Sequence, residues 1–186
     1  MRKLLYAFGL TSALVFALAA HAAAPNFAGT WTLDKSKSQG LSQRVQNAES
    51  VSWVITQTDK EITVDEKITG GGAPGAGGPP PGGQGGPGGG GRGMMGPMGP
   101  RTYNLDGSET TGETGRGKFA RKATLSSDGK TLDLVTKSTF QTQDGNEVTV
   151  TSSDKLSLSA DGKVLTVVRH SESPRGPQDS TMVFNK

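Results

Sequence analysis

Few side chains in this sequence are equipped for chemistry. There is no cysteine, and of the two histidines His21 stands in an apolar N-terminal segment, leaving His170 as the one imidazole in the rest of the chain. Serines abound, so a Ser-His-Asp hydrolytic arrangement built on His170 is formally open, but no G-x-S-x-G turn accompanies it. A lone histidine on a strand reads as a surface residue. Asp65 and Glu66 are adjacent in sequence, so on a strand they point to opposite faces and cannot share a substrate. Soft ligands are confined to Met94, Met95 and Met98 in "GRGMMGPMGP", thioethers of the kind that suit Cu(I). With no histidine or cysteine beside them they read as loop residues rather than a metal site. The same stretch lacks the GK[ST] ending of a phosphate-cradling loop. This inventory predicts neither an enzyme nor a cofactor.

The elements that would hold these residues are strands. From Asn26 onward apolar and polar residues alternate with period two, the pattern of half-buried β-structure. Phe27, Gly29, Trp31 and Leu33 share one face; Val51, Trp53, Ile55 and then Ile62, Val64, Ile68 repeat the pattern. Phe119, Ala123, Leu125, then Leu132, Leu134, Phe140, and later Leu156, Leu158, Leu165, Val167, Met182 and Phe184 continue it. Asp-Gly recurs at 106–107, 128–129, 144–145 and 161–162, supplying the positive φ that short hairpin turns require. "LSSDGKTLDL" at 125–134 and "LSADGKVLTV" at 158–167 read as one hairpin solution used twice.

Arg2 and Lys3, the apolar run Leu4 to Ala20 and the small-residue pattern Ala20-His21-Ala22 predict a signal peptide over 1–22, cleaved before Ala23. The run is short for a membrane span. Removing it leaves 18 basic against 17 acidic residues, which is no nucleic-acid footprint. The absence of cysteine excludes disulfides, thiolate chemistry and a lipid-attachment site. The expectation is a periplasmic or secreted protein with no membrane span after cleavage. An outer-membrane barrel would use the same alternation with the apolar face outward, but seven aromatic residues beyond the signal are too few for two aromatic girdles.

Residues 70–100 hold 17 of the 28 glycines and seven of the ten prolines. They cannot bury enough surface to offset ordering entropy and are expected to be a disordered loop inside one domain, 23–186. A loop of that length costs only about 2 kcal/mol more to close than a short turn.

"NFAGTWTL" resembles the N-F-x-G-x-W motif that opens the first strand of lipocalins and other calycins, carried here by Asn26, Phe27, Gly29 and Trp31. The whole segment 23–186 is similar to short exported bacterial lipocalin-like proteins, many of them without an established function. The resemblance implies an all-β fold: a single antiparallel up-and-down β-barrel of about eight to ten strands. It also implies that Trp31 closes one end with a late-strand arginine packed across its ring. Arg169 is the candidate for that partner, with Arg121 as the other. A small apolar ligand would bind among Trp53, Phe119 and Phe140. The alternative is a filled barrel, an envelope interaction or structural protein that uses the Gly/Pro/Met loop as its contact element.

Overall fold

A computed structural model describes residues 25–70, 99–114, 117–142 and 145–186. The expected signal peptide, nearly all of the Gly/Pro stretch and Met94, Met95 and Met98 lie outside the described residues.

Ten strands form the wall: β1 (Gly29–Leu33), β2 (Ala48–Gln57), β3 (Glu61–Gly70), β4 (Arg101–Asn104), β5 (Thr110–Thr114), β6 (Gly117–Leu125), β7 (Thr131–Gln141), β8 (Glu147–Leu158), β9 (Val164–Ser173) and β10 (Gly176–Asn185). Each pairs antiparallel with its neighbours in the order β4-β3-β2-β1-β10-β9-β8-β7-β6-β5. The sheet is therefore up-and-down throughout, and the first strand sits between the second and the tenth. It curls until its edge strands β4 and β5 approach one another without a hydrogen-bonded ladder. The result is a nearly closed all-β barrel, as the alternation predicts. A 3-10 turn (Lys35–Lys37) and a short helix α1 (Gln43–Asn47) join β1 to β2. Ser42 caps α1 by accepting from the Val45 N–H, while Leu41 and Val45 pack against the core.

The two echoed hairpins share one turn. At the first, the Ser126 hydroxyl donates to Asp128 at 2.5 Å, and Asp128 also accepts from the Lys130 N–H. At the second, Ser159, Asp161 and Lys163 repeat these contacts. Gly129 and Gly162 follow at φ of 69° and 67°, left-handed backbone that a Cβ disfavours. The serine hydrogen bond, followed by the lysine N–H, holds both aspartates below the usual carboxylate range.

The motif that opens β1 seals the base. Asn26 accepts from the Ala28 N–H at 2.9 Å, and the buried Trp31 indole donates to the Phe27 carbonyl at 2.8 Å. Gln57 clamps the entering chain, accepting from the Phe27 N–H and donating to the Pro25 carbonyl. Gly29 has φ of 147°, and a Cβ there would lie 2.8 Å from the Lys186 side chain. Phe27, Trp31, Ile62, Leu156, Leu165 and Phe184 are all 0% exposed, each such burial contributing about 1.5–3 kcal/mol. The apolar face of the strands points inward. The outer wall carries Lys118, Lys122, Thr124, Lys137, Thr139, Thr149 and their like, opposite to the arrangement of an outer-membrane barrel.

Candidate functional site

The inward-facing residues of each strand change character partway up the barrel. On β7 the inward series from the base is Leu132, Leu134, Thr136, Ser138, Phe140. On β8 it is Leu158, Leu156, Asp154, Ser152, Val150, and on β9 Leu165, Val167, Arg169, Ser171. Apolar side chains fill the lower half, and charged or hydroxyl groups follow at one level. Glu66 on β3, Arg101 on β4 and Arg121 on β6 share the inward parity of Val64, Tyr103 and Ala123 and add to this layer. Asp65, next to Glu66, faces outward, consistent with the opposite-face expectation for that pair.

Asp154 is the centre of the layer. It is 2% exposed and accepts two hydrogen bonds from the Arg169 guanidinium, from Nε at 2.6 Å and from Nη2 at 3.0 Å. Arg101, 6% exposed, lies 3.8 Å from the same carboxylate and 4.0 Å from Glu66. Both guanidinium groups stack over the Trp53 ring, with centroid distances of 5.7 Å for Arg101 and 5.5 Å for Arg169, a favourable arrangement for a cation on an indole. Burial alone would lower the Arg169 pKa, but the charge and hydrogen bonds of Asp154 outweigh it and hold it above the ordinary value. Beside this group the Tyr103 hydroxyl and the Thr136 hydroxyl share a hydrogen bond of 2.8 Å across the interior.

Arg121 is placed differently. Its guanidinium lies 4.0 Å over the Phe119 ring, and no carboxylate among the described residues pairs with it. Burial lowers its pKa and the neighbouring Arg101 adds to that shift. Among the described residues, three buried side-chain polar atoms have no hydrogen-bond partner: Arg121 Nε, Thr110 Oγ1 and Trp53 Nε1. All three belong to side chains at or beside this layer.

The predicted arginine partner of Trp31 takes another position. Arg169 covers Trp53, and the cation over Trp31 is Lys186, with Nζ 5.2 Å from the ring centroid. Trp31 and Trp53 are cross-strand neighbours, but the Trp31 indole turns to the Phe27 carbonyl at the base, below the level at which Asp154 holds Arg169. Arg121 covers Phe119 rather than either tryptophan. Of the three residues expected to line an interior, Trp53 is 0% exposed and packs on Phe184 at 5.2 Å. Phe119 and Phe140 face inward and are half-buried. Asp154, Arg101 and Thr136 carry no motif in the sequence and Glu66 stands out there only as the neighbour of Asp65, although each continues the parity of an apolar stripe.

His170 lies on the outer wall between Ser153 and Asp179 on the flanking strands. Its Nδ1 is 2.6 Å from Asp179 and its Nε2 is 3.5 Å from Glu172. The hydrogen bond to Asp179, then that to Glu172, raises the His170 pKa above the ordinary imidazole value. A raised folded-state pKa means that charged His170 favours the fold below its unfolded pKa of about 6.5. That contribution fades as the pH rises through the higher folded value. Following the imidazole ring protons by NMR across pH 5 to 9 is expected to give a midpoint above the peptide value in the native chain, shifted downward in Asp179→Asn.

No protein-family model matches this sequence, and no curated protein matches it either. One solved structure with a similar fold is the zebrafish ileal bile acid-binding protein, crystallised with cholic acid. It is 12% identical, with a TM-score of 0.44, and the match covers 86% of this chain and 98% of that one.

Proposed function

We propose that this chain is an exported, non-catalytic binding protein whose barrel takes up one small molecule with an apolar body through the end opposite Trp31. The observation that carries this reading is the change in exposure along the inner wall. Most inward residues below the ionic layer are sealed, Leu125 and Leu158 at the rim of the base being partly buried, whereas Ile68, Phe119, Phe140, Val148 and Val150 above it are all half-buried. Apolar side chains that face the inside of a barrel yet remain wet are surface that a ligand can cover with gain, at about 25 cal/mol per Å². The closed lower half supplies a rigid support for them.

Export is supported by the basic start, the apolar run and the Ala20-His21-Ala22 pattern, which together favour a periplasmic or secreted location. The non-catalytic reading is supported by the position of His170 on the outer wall, engaged by two carboxylates, and by a sequence without cysteine. Among the described residues, nothing in the inner layer pairs a nucleophile with a base. The Gly/Pro stretch is read as a tolerated insertion between β3 and β4, so a chain lacking residues 72–98 is expected to fold.

The test is uptake of the neutral, environment-sensitive dye N-phenyl-1-naphthylamine, together with native mass spectrometry of the purified protein. Saturable dye fluorescence that a co-purifying small molecule displaces is the expected result. Failure to take up the dye, with no small molecule retained, would overturn the binding reading. A filled barrel acting by surface contact would then be favoured.

A further inference from the structure

The layer of charge in the barrel is unbalanced, and the imbalance has a location. Among the described residues, three guanidinium groups, Arg101, Arg121 and Arg169, face two carboxylates, Glu66 and Asp154. Asp154 is engaged by Arg169 and Arg101, and Glu66 by Arg101. Arg121 is left over. Its neighbour across the β5–β6 ladder is Thr110, and inward-facing cross-strand neighbours have Cβ atoms about 5 Å apart. Each offers one buried donor with no partner, the Arg121 Nε–H and the Thr110 hydroxyl. The Phe119 ring holds the Arg121 guanidinium by its carbon, Cζ 4.0 Å from the ring centroid, and the N–H groups of a guanidinium so held are the donors that receive a carboxylate or another oxyanion.

Resting on the binding reading above, we propose that the ligand is an anionic amphiphile whose acidic head is received by Arg121 and Thr110 while its apolar body lies against Phe140, Val148 and Val150. A buried donor without a partner is costly, and one oxyanion satisfies both while neutralising the surplus positive charge. A cationic head would meet the same surplus as repulsion. A neutral head would satisfy the donors but leave the charge.

Three probes with one body and different heads decide the matter: dodecanoate, dodecanol and dodecylammonium, each competing with N-phenyl-1-naphthylamine at pH 8. Dodecanoate is expected to bind at least about tenfold more tightly than dodecanol, since a charge-assisted pair is roughly twice as strong as a neutral one. In Arg121→Gln that preference falls to within about twofold, and Thr110→Val lowers it several-fold. Near-UV circular dichroism of each variant confirms that the fold is kept. Equal affinity for acid and alcohol, a preference that survives in Arg121→Gln, or tighter binding of the ammonium each overturns this assignment and leaves the binding reading standing. Failure of the dye and all three probes to bind overturns the binding reading itself and the assignment with it.

Discussion

Asp154→Ala is expected to cost about 3–5 kcal/mol of stability, the largest loss from any single polar substitution among the described residues. The carboxylate is 2% exposed and holds two guanidinium groups, one of them through two hydrogen bonds. Removing it leaves Arg101 and Arg169 side by side over Trp53 with only Glu66 to balance them. Urea unfolding followed by tryptophan fluorescence measures the effect, because both tryptophans are fully buried. The replacement Arg101→Met with Asp154→Leu and Arg169→Met is expected to recover most of the loss, since desolvating three charges is itself expensive. A loss below about 1 kcal/mol in Asp154→Ala would mean that the layer is solvated like a surface ion pair.

Trp31→Ala is expected to cost a similar amount, about 3–5 kcal/mol, through loss of packing at the base. The substitution also leaves the Phe27 carbonyl without its donor. Trp31→Phe separates the two effects. It keeps most of the apolar volume but removes the indole N–H along with part of the ring, so it is expected to cost about 1–3 kcal/mol. The readout is the urea midpoint by far-UV circular dichroism. An unchanged midpoint in Trp31→Ala would show that the base is closed by other residues.

Both results bear on what the amino-acid pattern discloses. The barrel is legible because alternation, Asp-Gly turns and "NFAGTW" agree with one another at every level, and such agreement selects one fold. The ionic layer is harder to see. "VVRHS", "SSDKLSL" and "FARKA" place Arg169, Asp154 and Arg121 in step with Val167, Leu156 and Ala123, so parity alone puts each charge inside. What parity cannot supply is the register between strands, which decides that Asp154 meets Arg169 across the β8–β9 ladder, that Arg101 reaches the same carboxylate from β4, and that Arg121 lies over Phe119 with Thr110 and Thr136 as its ladder neighbours. The same gap explains the arginine assigned to Trp31. Two tryptophans side by side on β1 and β2 are equivalent partners until the height of Arg169 along the wall is known.

The placement of β1 between β2 and β10 also constrains how the barrel can form. Asp34, at the end of β1, hydrogen-bonds Asn185 at the end of β10, 151 positions away, so the wall cannot close until its tenth strand is present. Contacts this distant in sequence slow folding, because chain entropy is lost before the ladder repays it. A nascent chain whose β10 has not yet emerged carries two further open edges, on β1 and β9, and stays loose until that strand arrives.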